Sequence, residues 1–175
     1  MPRQLLIMRH AKSSWDDPSH TDFQRPLAGR GLRDAPRMGH WLHTQKLRPD
    51  CVLSSPAQRA QQTTLMVCNI LGIPQEAITW NQTIYNADLK DLLDVLATVP
   101  GTARLTLLVG HNPGLEFLYT FLGGRQPDCA NDGDLIKTAS QVLLRLPEDW
   151  SKLSPCCGSV VWVKHPKDLP ATDPE

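Results

Sequence analysis

The sequence predicts one α/β domain: a three-layer α/β/α sandwich around a mostly parallel central sheet, with an antiparallel strand late in the chain. Three observations lead there. Short, continuous apolar runs recur along the chain, as in strands buried on both faces. Longer segments with apolar residues at helical spacing lie between them, the alternation expected of a parallel sheet. The last two apolar runs are joined by a link too polar and broken for a crossover helix, so they are expected to pair as antiparallel neighbours. At 175 residues the chain fits one domain and is long enough to bury a core.

The elements follow in order. "QLLIM", Gln4 to Met8, is the first strand, and it stops at Arg9-His10. Leu32, Ala35, Met38, Trp41 and Leu42 repeat at helical spacing. Pro36 sits inside that pattern, where it removes a backbone donor and crowds the preceding turn. Either the helix kinks there, or its regular part begins near Asp34 with the proline in its first turn. Leu32, as part of the apolar face, favours the kink. "CVLSS" from Cys51 is the second strand. Ser55, Pro56 and Gln58 then read as a capping box with proline at the first helical position. The helix they open carries Ala60, Thr64, Val67, Cys68 and Leu71 on one face. "AITW" from Ala77 is a third strand, followed by a helix with Leu89, Leu92, Leu93 and Leu96. "LTLLVG" from Leu105 is the fourth. After it, Asn112-Pro113 reads as an N-cap and a helix-opening proline, with Leu115, Leu118 and Leu122 inward. "SQVLLRL" from Ser140 and "SVVWVKH" from Ser159 are the late pair. The domain is expected to span residues 1–165, and the proline-bearing residues 166–175 to form a flexible tail.

Composition narrows the function classes. Lysine plus arginine equal aspartate plus glutamate, 18 each, whereas a nucleic-acid binder is usually basic. No charge run marks a membrane surface, and no apolar stretch is long enough to span a bilayer. The start lacks the zones of a secretory signal, so a cytoplasmic location is expected. Cys51, Cys68, Cys129, Cys156 and Cys157 show no metal-ligand spacing, and their odd number suits free thiols. The adjacent Cys156-Cys157 pair suggests no function. His40 and His43 lie three apart on a helix, but no third ligand joins them as a metal site. No metal and no other cofactor is expected.

In sheets of this kind ligands bind beyond the carboxyl ends of the strands. Three strands here end in groups suited to an anion: Arg9-His10, the "SSPAQRAQQT" segment and the "GHNPGLE" segment. Arg59 lies one turn into a helix, where it opposes the dipole. It is either a surface arginine paired with a carboxylate or a planar fork for a phosphate. His111 sits at a strand-to-helix turn and, taken alone, reads as a structural hydrogen-bond donor. Combined, the segments bring two histidines and two arginines to one sheet edge. Arg9 and Arg59 match the charge of a phosphoryl dianion. A histidine between arginines is pushed toward its neutral form, and a neutral imidazole is a nucleophile. The second histidine would hydrogen-bond the phosphoryl oxygens, a preorganised interaction typically worth ~3–4 kcal/mol.

With these motifs the sequence resembles the histidine phosphatase superfamily, whose fold is phosphoglycerate mutase-like. "RHAKSSW" is similar to its R-H-G motif, with Ala11 in the glycine's place. "SSPAQRAQQT" resembles its second arginine motif and "GHNPGLE" its second histidine motif. "DFQRPLAGRGLRDAPRMG", Asp22 to Gly39, and "IYNADLKDLL", Ile84 to Leu93, resemble the compact SixA-type branch of phosphohistidine phosphatases. The resemblance implies that His10 accepts the phosphoryl group and that Arg9, Arg59 and His111 complete the pocket. It makes Lys12, Ser13 and Arg25 secondary substrate contacts. It implies catalysis without a metal and a phosphorylated protein as partner, such as a phosphorelay histidine domain. Nothing in the sequence demands a dimer, and a monomer is expected. Two departures stand out. Ala28 occupies a position where a capping side chain is usual, at a cost to the helix of ~1 kcal/mol. "NQTIYNADLK" lacks the glutamate that many members use as proton donor. Asp17, Asp22 and Asp88 are the candidate acids by location, each also readable as a turn or cap residue. A phosphohistidine substrate needs the acid least, because its imidazole leaving group can carry its own proton. Little of the chain is left for an insertion over the site, and an open site admits a protein surface better than a deep one. The alternatives are a phosphatase of small phosphate esters and a phosphate-binding module without turnover.

Overall fold

The computed structural model describes residues 2–124 and 135–170. Six strands form one sheet: β1 (Arg3–Arg9), β2 (Cys51–Ser54), β3 (Ile78–Trp80), β4 (Leu105–Gly110), β5 (Gln141–Leu146) and β6 (Ser159–Lys164), in the order β3-β2-β4-β1-β5-β6. β1, β2, β3 and β4 run parallel. β5 is antiparallel to both of its neighbours, β1 and β6. The expected sandwich is therefore present, with β5 as its one reversed strand.

Alternation along β1 explains the three layers. Leu5 and Ile7 face a core shared with the helices α3 (Leu89–Ala97) and α4 (Gly114–Gly123), through Leu92, Leu96, Leu115 and Leu118. Leu6 and Met8 face a second core, shared with α1 (Gly29–Thr44) and α2 (Gln58–Ile70), through Ala35, Met38, Ala60 and Val67. All four β1 side chains are fully buried, each contributing about 1.5–3 kcal/mol. A strand buried on both faces is rigid, and it ends at Arg9.

Helix α1 departs from expectation in its inward face. It begins at Gly29, before Pro36, so the proline lies within it. Leu32, expected inward, is 44% exposed. The buried stripe runs instead through Gly31, Asp34, Ala35 and Met38. Gly31 sets that rotation, because a Cβ there would run into the Lys12 carbonyl. The same carbonyl accepts from the Ala28 amide at 2.8 Å. Ala28 is the N-cap and supplies no side-chain hydrogen bond, as its residue type implies.

Two helix starts also differ. α2 begins at Gln58 with Ala57 as N-cap, so Ser55 and Gln58 form no capping box. α4 begins at Gly114 with Pro113 as N-cap, and Asn112 turns its amide to Glu116 and the Ile136 carbonyl. Residues 166–170, expected to belong to a flexible tail, pack against the domain. Pro166–Asp168 form a 3-10 turn with Pro166 buried, because Arg37 on α1 donates to the carbonyls of Leu169 and Pro170. Residues 171–175 of that expected tail lie outside the described residues, as does Cys129. Cys51, Cys68, Cys156 and Cys157 are free thiols. Among the described residues no helix is long and apolar enough to cross a membrane.

Candidate active site

Sheet register brings the site together. Arg9 pairs with Gly110 and Ser54 with Val109, so the residues that follow β1, β4 and β2 emerge side by side. The His10 amide donates to the Gly110 carbonyl at 3.1 Å and the Ser55 amide to the Val109 carbonyl at 3.0 Å. His10 and His111 therefore lie with ring centroids 5.1 Å apart, at the carboxyl end of the sheet where ligands bind. They line a cavity of about 560 Å³ with Arg9, Lys12, Ser13, Asp22, Arg25 and Arg59, and with Trp15, Tyr85, Asn86, Asn112 and Thr138. Of the residues singled out in the sequence, Asp17 and Asp88 are absent from its lining. Asp17 holds the Ser19 amide and hydroxyl in an exposed turn. Asp88 is the N-cap of α3 and pairs with Asp91 in a capping box. Both serve local structure.

His10 is held in one tautomer. Its Nδ1 lies 2.7 Å from the Ala11 carbonyl oxygen, which can only accept, so Nδ1 carries the proton. Its Nε2 is then a lone pair, which accepts from Arg59 Nε at 3.3 Å. The turn is braced from α2, where Thr63 Oγ1 accepts the Ala11 amide and donates to the Arg59 carbonyl. Burial drives the His10 pKa down to about 3, and the nearby His111, Arg59 and Arg9 push the same way. His111 is likewise brought to about 3, by burial first and then by Arg59. Both rings are neutral at physiological pH.

His111 is fixed from the opposite nitrogen. Its Nε2 shares a 2.8 Å hydrogen bond with Ser55 Oγ, whose oxygen also accepts the Ala57 amide at 3.2 Å. Its Nδ1 is buried without a hydrogen-bond partner among the described residues. The turn that carries it is clamped by Asn112 and Glu116, both bonded to the Ile136 peptide. Arg9 NH1 donates to the same peptide's carbonyl at 3.0 Å.

Asp22 organises the arginines. Its Oδ2 takes Arg59 NH2 at 3.1 Å and the Tyr85 hydroxyl at 2.8 Å, and its carbonyl takes Arg59 NH1 at 2.6 Å. Arg25 Nε stands 3.6 Å from Oδ1. Burial pushes the Asp22 carboxyl up, but the Tyr85 hydroxyl and the two guanidinium groups outweigh it and hold it below its ordinary value. Asp22 is thus ionised and serves as a tether for Arg59. Arg25 also donates to Ser13 Oγ at 2.6 Å and lies 3.5 Å from the centre of the Trp15 ring. Ser55, Tyr85 and Trp15 are site residues that the sequence reading did not single out. The "SSP" context of Ser55 disguised it as a cap.

Residues 5–82 match the histidine phosphatase superfamily (branch 1). An uncharacterised protein of Mycobacterium tuberculosis is 30% identical over 164 residues, covering 91% of this chain and 100% of its own. The chain belongs to the histidine phosphatase superfamily. A solved SixA protein histidine phosphatase, complexed with tungstate, shares the superfamily fold with a TM-score of 0.78 at 24% identity. That match covers 95% of this chain and 99% of the other. The phosphohistidine phosphatase SixA of Escherichia coli is 39% identical over 74 residues, 42% of this chain and 45% of its own. The solved structure, below a quarter identical, speaks for the fold alone.

Proposed function

We propose that this superfamily member is a phosphatase of phosphohistidine in proteins, acting through a phosphoryl group carried on His10. The observation that carries the reading is the His10 tautomer: Nδ1–H held by the Ala11 carbonyl, the Nε2 lone pair facing a pocket of arginines. When a phosphoryl group enters, Arg59 redirects its Nε–H hydrogen bond from His10 to a phosphoryl oxygen, keeping the proton, and the lone pair is released for in-line attack. Arg9 and Lys12 add charge from the cavity wall. With Ser55 as the donor to His111 Nε2, Nδ1 carries the proton and gives it as a hydrogen bond to another phosphoryl oxygen. That bond satisfies the buried nitrogen and strengthens as charge develops.

The bonds balance in two steps. His10 Nε2 forms a bond to phosphorus while the substrate P–N bond breaks. The P–N electron pair returns to the substrate ring, which leaves as neutral imidazole because its other nitrogen is protonated. Water then displaces the phosphoryl group from His10, giving inorganic phosphate and the starting tautomer, with Nδ1–H kept throughout. Asp22, ionised and bonded to Arg59, has no proton to give, which favours a leaving group that brings its own. Trp15, 72% exposed at the cavity wall, suits a site open to a protein surface. A cytoplasmic phosphorelay histidine domain is a fitting partner for a monomer.

The test is trapping with labelled phosphohistidine protein. The wild type is expected to retain acid-labile label and His10→Ala none. Equal hydrolysis by His10→Ala overturns the mechanism. Simple esters turned over faster than phosphohistidine would move the substrate to small phosphates.

A further inference from the structure

A second cavity, of about 290 Å³, adjoins the first, and Thr138 lines both. In a chain with equal numbers of acidic and basic residues, its wall gathers Arg30, Arg33, Arg37, Lys137 and Lys167. Their one acidic neighbour in the lining, among the described residues, is Asp34, 8% exposed and reached by Arg30, Arg33 and Arg37 at 3.6, 3.2 and 3.4 Å. Among the described residues, a single carboxylate leaves that wall with surplus positive charge. Arg37 is also spent on the Leu169 and Pro170 carbonyls. The Arg30 and Arg33 side chains remain 58% and 61% exposed.

Stability of the helix does not explain this cluster. Arg30 and Arg33 stand in the first turns of α1, which carries no acidic residue in its first turn. The positive end of a helix disfavours cations there, and like charges three and four apart repel. An anion arriving at the wall would relieve both. The wall is also tied to the nucleophile. Ala139 donates its amide to the carbonyls of Arg9 and His10 at 3.2 and 3.1 Å. Lys137 is two residues away, within about 7 Å along the chain.

From this we propose that the second cavity is a subsite for acidic side chains that flank the phosphorylated residue of a protein substrate. It rests on the phosphohistidine reading of the main site. With the phosphoryl group at His10, chain on one side of the phosphorylated residue passes over Thr138, and its carboxylates meet Arg30, Arg33, Lys137 and Lys167. These pairs are exposed, so they act mainly on encounter and on KM, and salt weakens them.

Two phosphohistidine peptides of equal length test this, one flanked by aspartate and glutamate and one by serine, with phosphoramidate as the small control. The wild type is expected to show kcat/KM about tenfold higher for the acidic peptide at low salt, with the difference in KM. Charge reversal at two exposed positions, Arg33→Glu with Lys167→Glu, is expected to abolish that preference and leave phosphoramidate turnover unchanged. Equal use of both peptides by the wild type overturns the subsite, as does a preference that survives the reversal. If no phosphohistidine compound is turned over, the main-site reading fails separately. Binding of the unphosphorylated acidic peptide then decides the subsite: salt-sensitive binding lost in the double variant upholds it, and no binding overturns it. A small bisphosphate that competes with phosphoramidate more strongly than the acidic peptide does overturns the assignment to protein.

Discussion

The turn after β1 and the turn after β4 lie side by side in register, and each carries a buried histidine. They are fixed in opposite ways. His10 is pinned through Nδ1 to its own backbone, so Nε2 faces the pocket as a lone pair. His111 is pinned through Nε2 to Ser55, so Nδ1 is the nitrogen left without a partner among the described residues. In the proposed mechanism the same residue type, at the same height of the same sheet, takes two tasks, and which nitrogen is tied down separates the attacking group from the donating one.

The sharpest break of that comparison is a pair of substitutions. His10→Ala is expected to lower single-turnover hydrolysis of phosphohistidine by about 10⁴-fold or more, the scale of losing a nucleophile. His111→Ala is expected to lower it by about 10²–10³, the scale of losing one charge-stabilising donor, while phosphoenzyme still accumulates. Equal losses would mean that the two rings share one role. Next in size, Ser55→Ala frees His111 to rotate and should reduce kcat by about tenfold with KM little changed, read in steady-state assays.

The third prediction concerns protons. Both histidines sit near 3 in the fold, through burial first, and near 6.5 in an unfolded chain. Between those values the unfolded state binds protons that the folded state refuses. Stability is therefore unaffected by these groups above about pH 6.5 and falls as pH drops toward 3. Replacing either histidine by asparagine should flatten that fall by up to about 1.4 kcal/mol per pH unit, measured by urea unfolding from pH 4 to 7. The smallest effect lies outside both turns. Ala28→Ser supplies the cap that α1 lacks and should raise stability by about 1 kcal/mol with activity unchanged, which makes it the control for the others.

How much of this was readable in the chain follows from the range of each interaction. The strands and their ends were readable because a strand buried on both faces is written as an unbroken apolar run. Arg9, His10 and His111 stand where such runs stop. Asp22 was readable as a nearby acid but not as a tether, since its partner Arg59 is 37 residues away and only the tertiary fold joins them. Ser55 reads as a cap because a serine before proline satisfies a local rule; its oxygen does accept the nearby Ala57 amide, and the long-range bond to His111 is what the local pattern does not reveal. Leu32 was misplaced because periodicity shows that a helix has an inner face and not which small residue must touch the backbone beside it. Gly31 against Lys12 decides that. Asp17 and Asp88 had the right neighbourhood in sequence, but their carboxylates are engaged by local amides.

The Ala11 carbonyl has one more consequence. A histidine can be phosphorylated on either ring nitrogen, and the two products are different isomers with different antibodies and different chromatographic positions. With Nδ1 hydrogen-bonded to the backbone, only the remote nitrogen of His10 is available. A phosphorylated form of this protein should then be the tele isomer alone, and digestion followed by isomer-resolved detection would read the tautomer of His10 directly from a chemical product.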